Sequence, residues 1–229
     1  FDHCGAVPYL KRKFPHIQVV ASAYSKEVFS KEKAVSFIAN INKEMIEKLC
    51  LQNEYESLDL QFDGIWVDRV AAENDVIDLG DGVEAHFLEV PGHTECSLAI
   101  YVPRLKAMFP SDSAPPPTDD GSELSQPSPQ YDFSLYLESL RKLATYEVAI
   151  CGFEHHGVFV GEQAEKVLQQ GLEQAEKFKD YVIEQYQQTG DWDKVAQRLA
   201  IEAMEKNKPP FNLELQTLVI KTVIREVVR

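Results

Sequence analysis

The chain has 229 residues, 44% of them hydrophobic, and is long enough to bury a sizeable core in one or two domains. Its 23 basic and 37 acidic residues give a formal net charge of −14. A charge this negative repels polyanions, so we expect binding neither to nucleic acid nor to an anionic membrane. The four cysteines are scattered without a C-x-x-C pair, and no apolar run is long enough to span a bilayer. These features predict a cytoplasmic protein with reduced thiols.

The first 150 residues are predicted to be mostly strands interrupted by one long helix. Residues 17–23 form a β-branched run typical of a short strand. Apolar residues then recur at helical spacing over 31–49, and Ser30 is a plausible N-cap for that helix. Further apolar runs predict strands at 65–70, 76–79, 84–90, 97–102, 107–109 and 148–151.

The composition changes after residue 113 and again after residue 160. Residues 114–130 are rich in Pro, Ser and Asp, which predicts a mobile surface loop, and residues 133–143 have the pattern of a helix. Three long helices are predicted at 162–188, 192–206 and 212–229, with Asp191 and Asn212 as caps. The last helix is apolar enough that it must pack, either within the chain or on a second copy in a homodimer. We therefore expect a core at 1–160 and a helical cap at 161–229.

Four short motifs rich in Asp, His and Gly occur in order along the chain: FDHCG at 1–5, PGHT at 91–94, PSDS at 110–113 and EHHG at 154–157. Each of the last three follows a predicted strand, so that their side chains can converge at one edge of a sheet. Imidazole nitrogen and carboxylate oxygen suit a divalent first-row metal ion. Taken singly, each motif could be only a turn, a helix cap or a close backbone approach. Together they favour a metal site, whereas His16 and His86 are expected to be ordinary surface or core histidines.

The FDHCG motif resembles the second half of the H-x-H-x-D-H-x-G motif of the metallo-β-lactamase superfamily, whose first two histidines are expected in a segment preceding residue 1. The resemblance implies an α/β fold, the metallo-β-lactamase-like αββα sandwich, with its N-terminal strands missing from this chain and with a C-terminal helical extension. It also implies two divalent metal ions, zinc, iron or manganese, with these ligands: Asp2, His3, His93, Asp112 as the bridging carboxylate, and His156. His155 competes with His156 for the last position. Where the family usually has Gly before the bridging aspartate, this chain has Ser111.

Such a site predicts hydrolysis of a small-molecule substrate. A metal lowers the pKa of bound water from about 15.7 toward about 7, so a metal-bound hydroxide can attack an acyl carbonyl at neutral pH. The catalytic role falls to Asp2, which is expected to bind metal, orient the hydroxide and pass its proton to the leaving group. DHCGAVPYL, YLESLRKL and the helical tail further resemble the quinolone-signal response thioesterases, which implies a small thioester or ester substrate. The alternatives are a phosphodiesterase or lactonase, an iron-based redox protein of the same fold, or a signalling and interaction protein that acts through its helical surface.

Overall fold

The structure is a computed structural model that describes residues 2–208 and 212–229. The chain separates into two compact units, one ending at Ala71 and the other running from Ala72 to Arg229. The predicted division into a core at 1–160 and a cap at 161–229 stays a prediction. Among the described residues, no helix is both long enough and apolar enough to cross a bilayer.

The first unit is mainly helical. It contains helices α1 (Val7–Lys13), α2 (Ala23–Phe29), α3 (Glu32–Lys48) and α4 (Gln52–Ser57), with β1 (Val20–Ala21) paired in parallel to β2 (Arg69–Val70). The long helix predicted at 31–49 is confirmed as α3. The strand predicted at 17–23 shrinks to two residues because Ser22 caps α2, its hydroxyl oxygen accepting from the Ser25 backbone nitrogen at 3.1 Å. Ser30, predicted to cap α3, instead ends α2.

The second unit is built on a six-stranded sheet. Its strands are hydrogen-bonded in chain order: β3 (Val76–Gly80), β4 (Val83–Glu89), β5 (Leu98–Val102), β6 (Ala107–Phe109), β7 (Ile150–Gly152) and β8 (Val158–Val160). Neighbouring strands are antiparallel except β6 and β7, which are parallel because helix α5 (Phe133–Leu143) lies between them in sequence. The strands predicted at 76–79, 84–90, 97–102 and 107–109 are confirmed.

Two hydrophobic clusters hold the second unit together. In the first, alternate sheet residues such as Met108 and Cys151 pack against α5 and the start of α6 (Glu162–Thr189). In the second, α6 packs against α7 (Trp192–Asn207) and α8 (Leu213–Val228) through fully buried valines and leucines. Each fully buried side chain of this size contributes about 1.5–3 kcal/mol. Helix α6 belongs to both clusters, so it joins the sheet to the C-terminal helices.

The C-terminal helices match the predicted bounds to within one residue and have the predicted caps. Asp191 accepts from backbone nitrogens at the start of α7, and Asn212 does so at the start of α8. Burial of Val223 and Val227 shows that α8 packs within its own unit, although Leu218 remains 61% exposed. A homodimer through these helices stays a prediction.

Residues 114–130 form the predicted surface loop only in part. Residues 119–123 are exposed, whereas 114–118 and 124–130 are buried or partly buried, and Pro115 is fully buried. Pro117 and Leu124 form an isolated antiparallel bridge, which folds the segment back on itself. The low apolar content that predicted mobility is offset in part because the Pro115 ring packs against Gly171 of α6.

Candidate metal centre

His93 lies in a tight turn that follows β4. Gly92, with φ of +139°, accepts hydrogen bonds at its carbonyl oxygen from the backbone nitrogens of Tyr131 and Asp132, both at 3.1 Å. The Pro91 carbonyl oxygen accepts from the Ser139 hydroxyl at 2.7 Å. A Cβ at Gly92 would lie 2.3 Å from the Tyr136 Cα. Only glycine therefore lets α5 approach this turn closely enough to fix the direction of His93.

Asp112 lies in a short 3₁₀ helix, Ser111–Ser113, directly after β6. Ser111 has φ of +56°, in the left-handed region that favours glycine, the residue that the family resemblance implies at this position. Its backbone nitrogen donates to the Glu154 carboxylate at 3.0 Å. The fully buried Ser113 hydroxyl donates to the Val90 carbonyl oxygen at 2.7 Å. Two bonds thus hold the aspartate's backbone on both sides, although serine replaces glycine.

The Asp112 carboxylate lies between two imidazoles. Its Oδ2 is 3.4 Å from His93 Nε2, and its Oδ1 is 3.5 Å from His155 Nε2. His93 Nδ1 lies 2.6 Å from the Ser128 carbonyl oxygen, which can only accept, so Nδ1 carries a proton. In the neutral ring the Nε2 lone pair consequently points toward Asp112. This is the arrangement that a metal-ligating histidine needs.

The two adjacent histidines turn in different directions. His155 lies beside Asp112, whereas His156 Nδ1 is 2.7 Å from the Asp119 carboxylate. His156 adopts φ of +63° and Gly157 φ of +129°, so the backbone reverses direction here. The structure thus places His155, and not the predicted His156, in the group around Asp112.

Asp2 and His3 belong to the first unit, in the turn that precedes α1. Both residues are exposed, and Asp2 Oδ1 lies 3.9 Å from His3 Nε2. Their side chains are therefore close enough together to share one ion. That they complete the site around Asp112 stays a prediction.

The donor set of the second unit fits a divalent metal ion. It offers two imidazole nitrogens and both oxygens of one carboxylate, and the side chains of His93 and Asp112 are 17% and 19% exposed. Partial burial strengthens the attraction between a cation and such ligands. Nearby, desolvation raises the pKa of the fully buried Tyr136, and the Asp112 charge adds to that effect. The phenol therefore stays neutral beside the site.

Sequence reasoning missed the groups that hold these histidines in place. Asp119 and the Ser128 carbonyl oxygen both belong to the segment 114–130, where the composition indicated a loop. Ser128 contacts His93 through its backbone carbonyl, so the identity of its side chain could not reveal that it orients the histidine. The high proline content was the one feature of this sequence that indicated a restricted backbone, because the proline ring fixes φ.

Comparisons with known proteins identify related sequences. The family model described as metallo-beta-lactamase superfamily matches residues 1–155. The metallo-beta-lactamase fold-containing protein ST1585 of Sulfurisphaera tokodaii is 26% identical over 175 residues, which cover 76% of this chain and 64% of that protein. The chain thus spans less than two thirds of the length of this curated relative.

Solved structures show the same fold. The crystal structure of ST1585 from Sulfolobus tokodaii superposes with a TM-score of 0.53 at 21% identity, covering 74% of this chain and 61% of that one. A metallo-beta-lactamase family protein from Thermus thermophilus gives 0.55 at 12% identity, covering 91% and 66%. The sec-alkylsulfatase Pisa1 from Pseudomonas gives 0.51 at 16% identity, covering 95% and 37%. The α/β fold with C-terminal helices is confirmed.

Proposed function

Because the chain belongs to the metallo-beta-lactamase superfamily, we propose that it is a metal-dependent hydrolase. One observation carries the proposal: the Asp112 carboxylate presents one oxygen to His93 Nε2 and the other to His155 Nε2. A carboxylate facing two imidazoles from separate strand ends suits the bridging position between two divalent ions. Zinc, iron and manganese all accept this donor set.

Four residues beyond Asp112 complete the proposed ligand set. We assign the last position to His155 because its ring faces Asp112, while His156 is engaged by Asp119. His93, Asp2 and His3 remain in the proposed ligand set, as predicted from the sequence. When bound, divalent ions supply Lewis acidity, which activates water as a nucleophile and polarises the oxygen of the scissile group.

The remaining chemistry belongs to the protein's own groups. The Ser128 carbonyl holds the proton on His93 Nδ1, which keeps Nε2 available as a ligand. Asp2 has the role of orienting the attacking water and carrying a proton to the leaving group, since carboxylates act in this way as general acids and bases. Asp112 balances positive charge in a site where burial weakens solvation.

A small thioester or ester is the proposed substrate. Support comes from the resemblance of DHCGAVPYL and YLESLRKL, with the C-terminal helices, to the quinolone-signal response thioesterases. Phosphodiesters and lactones come second. A sulfate ester is a further substrate class to include in a screen, because Pisa1 is described as a sec-alkylsulfatase.

The test is a hydrolysis screen of the zinc-loaded and manganese-loaded protein on a thioester, an ester, a lactone, a phosphodiester and a sulfate ester. The variants His93→Ala and Asp112→Ala should each lose more than about 100-fold in activity. Changing a residue that only holds a metal ligand in place typically costs about 10–100-fold, and removing the ligand itself should cost more. His86→Ala is the matched control, because His86 lies on β4 and pairs with Glu84. Equal activity of all three variants, or no metal-dependent hydrolysis of any substrate, would contradict the proposal.

A further inference from the structure

The Ser128 carbonyl oxygen is the hydrogen-bond partner that orients the His93 ring. Ser128 accepts from His93 Nδ1 at 2.6 Å. Its own segment is fastened further along the chain, where the backbone nitrogens of Tyr131 and Asp132 donate to Gly92. A backbone carbonyl stays in place only if the chain is also fastened on its other side.

Helix α6 supplies an attachment on that side. The Gln174 side-chain amide donates to the carbonyl oxygens of Ser125 at 2.9 Å and Leu124 at 3.4 Å. Ser125 is 4% exposed, and its backbone nitrogen donates to the Pro116 carbonyl oxygen at 2.8 Å. Gln174 therefore satisfies carbonyl groups in the buried part of a segment that has little regular secondary structure of its own.

The same face of α6 is shaped to receive the segment. Gly171 lies three residues before Gln174, and a Cβ at Gly171 would lie 3.1 Å from the Pro115 ring. Glycine inside a helix is less favourable than alanine. Here its missing side chain lets the segment lie close enough for Gln174 to reach two carbonyls.

We infer that Gln174, acting through the segment 114–130, is a positioning residue for the metal ligand His93. This role deepens the proposed function and rests on it. In this role, helix α6 helps to position a ligand of the metal site. When the amide of Gln174 is removed, the Ser125 carbonyl loses its donor, Ser128 gains freedom, and the His93 ring is held less firmly.

Two measurements on Gln174→Ala test the inference. Zinc affinity, measured by competition with a chromophoric chelator, should fall about 10-fold. In the zinc-free protein, the His93 Nδ1 proton should exchange with solvent about 10-fold faster by NMR, since the proton is protected only while Ser128 holds it. The resonance is assigned by its loss in His93→Gln. Gln169→Ala is the matched control on the same helix, because the Gln169 amide donates to Glu173 of α6.

Gln174→Leu separates hydrogen bonding from packing, since leucine fills space but cannot donate. We expect it to behave like Gln174→Ala in both measurements. Wild-type affinity and proton exchange in either variant would overturn the inference while leaving the hydrolase proposal intact. If the wild-type protein bound no zinc, the proposed function would fail, and the exchange rate of the His93 proton would still decide whether Gln174 positions that ring.

Discussion

Gly92→Ala is expected to destabilise the protein severely, because the turn before His93 has no room for a side chain. The added Cβ would lie 2.3 Å from the Tyr136 Cα and 2.4 Å from its backbone nitrogen, where ordinary contact begins at 3.4 Å. Helix α5 or the turn would have to move by about 1 Å, and overpacking of this kind typically costs about 1–3 kcal/mol. The φ of +139° adds strain of about 1–3 kcal/mol in an L residue.

These two contributions together reach about 2–6 kcal/mol, against a total stability of about 5–15 kcal/mol for a typical domain. Urea denaturation followed by circular dichroism measures the change in the free energy of unfolding. Gly121→Ala is the control, since Gly121 also has positive φ, +68°, but no atom of the described residues lies within 4 Å of a Cβ there. A Gly92→Ala variant no less stable than Gly121→Ala would refute the steric reasoning.

Three other predictions concern single groups of the second unit. Hydrogen bonds from Ser122 and Thr118 lower the pKa of Asp120 from its usual range to about 2, so its stabilising contribution should be lost as pH falls from about 4 to about 2. Acid titration of stability should show a smaller loss in Asp120→Asn than in the wild type. Ser113→Ala leaves a buried carbonyl acceptor without its donor and should cost about 1–3 kcal/mol in urea denaturation. Burial raises the pKa of Cys151 to about 12, so this thiol should stay unlabelled by iodoacetamide at pH 8 while exposed Cys50 reacts; labelling of Cys151 in the folded protein would contradict its burial.

Periodicity predicted helices α5, α6, α7 and α8 and strands β4 to β6 correctly because each presents one apolar face to a core. Helix α3 and strand β3 were also predicted, although α3 buries only Ile38 fully and β3 has no fully buried residue. The short helix α2 was missed. Its seven residues, AYSKEVF, follow a β-branched run and contain too few turns for a helical stripe to stand out.

The segment 114–130 shows where local sequence is insufficient. Its composition predicts disorder when considered alone, but Pro115 packs against Gly171 and the carbonyls of Leu124 and Ser125 receive Gln174. These partners lie about 50 residues away in sequence. Burial that depends on so distant a helix cannot be deduced from the segment itself.

The candidate site shows the same limit. The motif order placed His93 and Asp112 at strand ends, and the structure brings their side chains within 3.4 Å of each other. The sequence could not decide between His155 and His156. Which of two adjacent histidine side chains points toward Asp112 depends on the local backbone dihedral angles, which the sequence does not show. The φ of +63° at His156 and the carboxylate of Asp119 settle which way each ring turns, and both are features of the folded chain.

Zinc content of the purified His155→Ala and His156→Ala proteins, measured by inductively coupled plasma mass spectrometry beside the wild type, tests the central claim most directly. The claim is that the metal centre forms around Asp112 with His155 facing it. We expect His155→Ala to lose about one equivalent of zinc, because a direct ligand of the metal is removed. We expect His156→Ala to keep nearly all of its zinc, because the His156 ring contacts Asp119 instead. Loss of zinc from His156→Ala with full retention in His155→Ala would contradict the claim.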